Sequence, residues 1–128
     1  VEWWAENPCL YFEINPDGMD YGFFFYKPKL TVLEEMRKDW AANEKKFLKL
    51  IRDTEAATGQ PVTADLYKRP KETDDPRLKP YFAWKEAIAC CREETPGPEL
   101  FTPELLTRVQ EFFAQLTPLY HYLNRFRT

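Results

Sequence analysis

The sequence predicts an α+β domain: a small antiparallel sheet built on an N-terminal β-hairpin and packed against two or three α-helices. Three observations lead there. Period-two alternation flanks a Pro-Asp-Gly turn near the start, and apolar residues recur at helical spacing over two later stretches. The composition, 44% hydrophobic and 16% aromatic over 128 residues, is ample for one core, so residues 1–128 read as a single domain rather than a disordered chain.

In Leu10-Tyr11-Phe12-Glu13-Ile14-Asn15, Leu10, Phe12 and Ile14 share one face of a strand while Tyr11, Glu13 and Asn15 share the other. Pro16-Asp17-Gly18 supplies turn chemistry. A second strand over Met19 to Tyr26 pairs back as a hairpin, with Met19, Tyr21, Phe23 and Phe25 on one face. It is apolar on both faces from Phe23 to Tyr26, which predicts cover on both sides. A lone hairpin is marginal in water, so further strands or a partner are expected.

Pro28 ends the strand, and Thr31-Val32-Leu33-Glu34 reads as a capping box. Leu33, Met36 and Trp40 follow at helical spacing. Asn43 restarts the helix, Phe47, Leu50 and Ile51 continue the apolar stripe, and Lys45, Lys46, Lys49 and Arg52 face solvent. Gly59 before Gln60-Pro61 is a stop. This is two short helices, or one bent one, across Thr31 to Thr58. Val62 to Leu66 reads as a short extended piece, and Lys68 to Pro80 as a surface loop with one helical turn at Pro76 to Lys79. Ile88-Ala89-Cys90-Cys91 fits a strand or a helix end, the run being too short to decide. Thr95-Pro96-Gly97-Pro98 is a linker. Thr102 then caps a helix with Pro103 at its first position, whose apolar face runs through Leu105, Leu106, Val109, Phe112, Phe113 and Leu116. Pro118 is expected to kink or break it before Leu119, Tyr122, Leu123 and Phe126 extend the packing.

A net charge of -3 disfavours a general nucleic-acid binder, which draws its affinity from phosphate neutralisation. No run approaches the roughly 20 apolar residues of a membrane span, and no signal peptide is recognisable. The odd set of Cys9, Cys90 and Cys91 favours reduced thiols and a cytoplasmic location.

Motifs that carry chemistry are sparse. Four glycines give no phosphate-binding loop, so no nucleotide cofactor is expected. Adjacent Cys90-Cys91 with a distant Cys9 lack the spacing of a metal site and read as small buried hydrophobes. The single histidine, His121, reads as packed or surface. Glu13, Asp17 and Asp20 around the hairpin turn, and Asp74-Asp75, read as solvated turn acids. The best candidate ligand surface is the group Lys68, Arg69, Lys71, Lys79 and Lys85 interleaved with Tyr67, Tyr81 and Trp84, with Lys68, Arg69, Lys85, Tyr81 and Trp84 as its centre, since cations beside aromatics suit a phosphate, a carboxylate or a stacked base. Glu72, Asp74, Asp75 and Glu86 interleave with them and favour neutralising surface pairs instead.

Several segments together resemble the later portion of the bacterial domain-of-unknown-function family 2461. They are Cys9 to Ile14, the Pro-Asp-Gly turn with its aromatic second strand, Tyr67-Lys68-Arg69-Pro70, Tyr81 to Lys85 and the proline-containing last helix. The resemblance implies a central antiparallel sheet with packed helices. It also implies upstream sequence, including an Arg/Asp-rich strand segment, that these residues do not contain. A start on Val1-Glu2-Trp3-Trp4, bulky and apolar, agrees with a piece of a longer domain.

These readings predict a non-catalytic binding or interaction module. The alternative is an enzyme acting on a small phosphorylated or carboxylated substrate, its acid-base residues upstream and Lys68, Arg69 and Lys85 assisting. A third expectation is self-association through an exposed sheet edge.

Overall fold

The computed structural model describes residues 3–95, 97 and 102–126, with the side chains of residues 3 and 4 excepted. After a single helical turn, α1 (Trp3–Glu6), the hairpin forms from β1 (Cys9–Asn15) and β2 (Gly18–Phe25), paired without a break from Cys9↔Phe24 to Asn15↔Gly18. The turn between them is tied by the Asp17 N–H, which donates to Asn15 Oδ1 at 3.0 Å. Two helices follow, α2 (Leu30–Ala42) and α3 (Glu44–Thr58), then β3 (Thr63–Leu66), a turn of helix α4 (Lys79–Phe82), the long β4 (Trp84–Glu94) and α5 (Pro103–Asn124). The sheet is antiparallel throughout, in the order β1-β2-β4-β3, so the hairpin occupies one side and the late strand β4 supplies the centre with β2. The α+β architecture expected from the hairpin and the helical stripes is the one found.

Alternation sets the layers. Met19, Tyr21, Phe23 and Phe25 of β2 and Ile88 and Cys90 of β4 point to the helix side and are buried. Against them pack Met36 and Trp40 of α2, Phe47 and Ile51 of α3, and Phe112, Leu116, Leu119 and Leu123 of α5. Each such side chain contributes about 1.5–3 kcal/mol on burial. Trp40 is the hub: it stacks on Phe47 at 4.4 Å between ring centroids and meets the Trp84 ring edge-on at 5.5 Å. Arg92 on β4 lies 4.4 Å over the Phe112 ring and donates to the Thr58 carbonyl at 3.0 Å, tying α5, α3 and the sheet together.

Gly22 marks where β2 and β4 come closest. A Cβ there would lie 2.4 Å from the Cys90 carbonyl oxygen and 2.6 Å from Cys91 Cα, and its φ is +154°. Only glycine fits both constraints.

Four expectations change. Helix α2 starts one residue before Thr31, with Lys29 as its N-cap and no side-chain cap bond, so the capping box does not form. Thr31 already lies inside the first turn, where its hydroxyl cannot reach forward to the free amides. Helix α5 runs unbroken through Pro118, because Leu119 and Leu123 beyond it stay anchored in the core. On the sheet face away from the helices, Phe24 is half-buried and Tyr26 exposed. Their cover is mainly each other and Tyr11, at 5.8 and 6.3 Å between ring centroids. Finally, Phe12 and Ile14 point to the helix side yet remain 41% and 48% exposed. The linker expected over Thr95 to Pro98 falls partly outside the described residues. No helix among the described residues is long and apolar enough to cross a membrane.

Candidate functional site

The basic and aromatic residues singled out in sequence are close along the backbone. The loop after β3 runs beside the start of β4, with the Tyr67 N–H donating to the Ala83 carbonyl at 2.8 Å and Lys71 N–H to the Phe82 carbonyl at 3.2 Å. Their side chains divide into two sets. Lys68, Arg69 and Lys85 are exposed. Trp84 is only 4% exposed, its ring held among Trp40, Phe47 and Tyr81. Tyr81 is half-buried edge-on to Phe47, and burial, aided by Glu55, pushes its phenol above the ordinary tyrosine value. The two aromatics therefore hold the core beneath α4. Lys71 spends its charge on the Tyr67 ring, 4.9 Å away.

The other candidates are also placed. Cys90 is buried, Cys9 and Cys91 are half-buried, and all three are free thiols. Burial pushes the Cys9 and Cys90 thiols up, away from the reactive thiolate. His121 is exposed on α5 beside the Tyr120 ring. Glu13, Asp20 and Glu93 line up across three strands on the sheet face away from the helices. Burial, then the charges of Glu13 and Glu93, raises the Asp20 carboxyl. Among the described residues no group of three or more His, Cys, Asp or Glu side chains could hold a metal ion.

Two features emerge that the sequence reading did not assemble. The first is a cleft of about 430 Å³ between the α2–α3 junction and the end of α5. Asp39, Asn43 and Lys46 line it on one side, Tyr122 and Arg125 on the other, with Leu50 and Pro118 as apolar wall. Tyr122 Oη donates to Asp39 Oδ2, and Asn43 Nδ2 donates to Asp39 Oδ1 at 3.2 Å. Burial and the Asp39 carboxylate together hold the Tyr122 phenol far above its ordinary value. In sequence, Asn43 read only as a helix restart and Tyr122 only as packing, because nothing local joins Asp39 to Tyr122, 83 residues apart.

The second is an open groove of about 590 Å³ beside the outer edge of β1, which pairs with no further strand among the described residues. Phe12 and Ile14 form one wall; Pro103, Leu105, Leu106 and Val109 of α5 form the other. Leu106 is 59% exposed. The signal in sequence was the alternation of Leu10, Phe12 and Ile14, an apolar face whose far side has no strand to pair with.

The layers and the sheet order define a two-layer α+β domain in which, among the described residues, no further strand lies beyond β1. This chain belongs to the family described as a conserved hypothetical protein, DUF2461, whose model matches residues 3–122. The match extends over nearly the whole chain, so the resemblance is to the family's domain itself and not, as the sequence reading had it, to its later portion alone. No curated protein and no solved structure matches it.

Proposed function

We propose that this domain is a non-catalytic interaction module whose working surface is the outer β1 edge with the groove beside it. The strand it takes is β1 of a second copy. The observation that carries the reading is the state of that edge. β1 is seven residues long, pairs regularly with β2, contains no lysine or proline, and exposes Phe12 and Ile14. Such an edge offers a row of unpaired N–H and C=O groups to another strand.

A second β1 fits in one antiparallel register. With the two-fold axis at Phe12, Phe12 meets Phe12, and Leu10 of each copy lies beside Ile14 of the other. On the opposite face Tyr11 lies beside Glu13, and Cys9 beside Asn15. Leu10, Phe12 and Ile14 of both copies then share the helix side, and no like charges stand opposite. Moving the axis to Glu13 would set the two carboxylates against each other. The raised thiols and the exposed His121 supply no nucleophile-base pair, which supports a non-catalytic reading. The free cysteines fit a reducing, cytoplasmic setting.

Light scattering across a concentration series tests the proposal. Wild type is expected to reach twice its monomer mass, and Phe12→Lys to stay monomeric with unchanged circular dichroism. The competing occupant is an extended strand of a different protein. A wild-type chain that stays monomeric at every concentration gives the edge to that occupant and overturns self-association.

A further inference from the structure

We infer that the cleft between the α2–α3 junction and the end of α5 is a binding site for a small aromatic carboxylate. Its size, about 430 Å³, lies within the range of small-molecule sites. Its charge is the second observation. Lys46 and Arg125 both line the cleft, and neither forms an ion pair among the described residues. The single carboxylate in the lining, Asp39, accepts from the Tyr122 hydroxyl and the Asn43 amide and keeps its charge, so two cations face one anion and the lining has room for one further negative charge.

The backbone adds no net charge there. Asn43 is both the C-cap of α2 and the N-cap of α3, so helix ends of opposite polarity meet at this end of the cleft and the side chains set its charge. A carboxylate placed between Lys46 and Arg125 gains charge-assisted hydrogen bonds from both. A planar apolar body then lies against Leu50, Pro118 and the Tyr122 ring, which the Arg125 guanidinium and the Phe126 ring also flank, each at 5.6 Å. A larger or dianionic ligand fits less well, since Asp39 lies in the same lining. The site shares no residue with the β1 groove, so the inference stands apart from the strand-addition reading.

The test uses benzoate as probe, with benzyl alcohol and acetate as comparisons, at constant ionic strength. Amide chemical shifts are followed for wild type and for Lys46→Gln/Arg125→Gln, both exposed positions whose change leaves the core intact. Benzoate is expected to shift Asn43, Lys46, Leu50 and Arg125 saturably, to bind more tightly than either comparison, and to weaken about tenfold in the double variant, equivalent to ~1.4 kcal/mol. Equal binding of benzyl alcohol, equal binding by the double variant, or no saturable shift in wild type would each overturn the site. Retained dispersion of the variant spectrum separates lost binding from lost fold.

Discussion

The two edges of the sheet are built on opposite rules. β3 is four residues long, carries Asp65, and departs twice from regular pairing with β4. Short length, charge and irregularity are devices that stop a strand from recruiting another. β1 is longer and regularly paired, and has only Glu13 as a charge along its seven residues; prolines flank both strands. Both edges expose an apolar side chain, Leu66 at 58% and Ile14 at 48%, so exposure alone does not separate them. What separates them is the backbone: only β1 offers a regular ladder beside an apolar groove. The contrast between the two edges is what the proposed self-association rests on.

The largest effect is expected at the centre from which both edges hang. Gly22→Ala drives a Cβ to 2.4 Å from the Cys90 carbonyl oxygen, in backbone that cannot retreat without parting β2 from β4. Overpacking and strained φ together are expected to cost on the order of 3 kcal/mol or more. A lower urea midpoint at unchanged slope reads this directly; a midpoint within error of wild type would mean that the strands can separate there at little cost.

Next in size is the contrast between edges. Ile14→Lys is expected to weaken self-association at least tenfold, because a lysine buried in an added-strand interface loses its hydration. Leu66→Lys, equally exposed, is expected to change nothing in sedimentation or light scattering. If the two substitutions behave alike, the distinction drawn between the edges fails, whatever the mass of wild type.

A smaller effect follows from pH. Tyr11 belongs to β1, and burial, with the Cys91 thiol beside it, holds its phenol above the ordinary tyrosine value. Tyr122 behaves the same way through burial and Asp39. The folded chain therefore keeps protons that the unfolded chain releases near pH 10, so this stability is complete below that pH and falls above it. Denaturant midpoints between pH 8 and pH 11 are expected to decline, and less steeply in Tyr11→Phe and in Tyr122→Phe. A decline of the same slope in both variants would assign it to other groups.

The elements that were legible in sequence are those whose signals are local. The hairpin follows from alternation around Pro16-Asp17-Gly18, and α3 ends where Gly59 takes φ 69°. β4 was hidden because it mixes Lys85, Glu86, Arg92, Glu93 and Glu94 with its apolar residues, and because its irregular pairing with β3 blurs the alternation around Ala87. That is why Tyr81 and Trp84 read as a surface beside Lys85, when Trp84 opens a central strand and faces the core. The cleft was illegible for a different reason: Asp39 and Tyr122 meet only when α5 folds back over the α2–α3 junction. Pattern in one strand shows which face is apolar, but what lies against that face is set by tertiary packing.

The smallest effect concerns the irregularity that closes the β3 side. Ala87 has φ 55°, the left-handed region, and its N–H donates to the Tyr26 carbonyl at 2.7 Å. An L side chain there costs roughly 1–2 kcal/mol. Glycine relieves that strain but loses about 0.4–1 kcal/mol through the greater freedom of the unfolded chain. Ala87→Gly is therefore expected to stabilise by about 0.5 kcal/mol, and Ala87→Val, branched at Cβ, to destabilise by more than glycine gains. Both are read from urea midpoints. Neither is expected to alter the oligomeric state, because the Tyr26 bond and the shifted β3 register remain. A glycine variant that gains mass instead would show that the strained alanine keeps the β3 edge closed, by holding β4 in an irregular path that a regular added strand cannot follow.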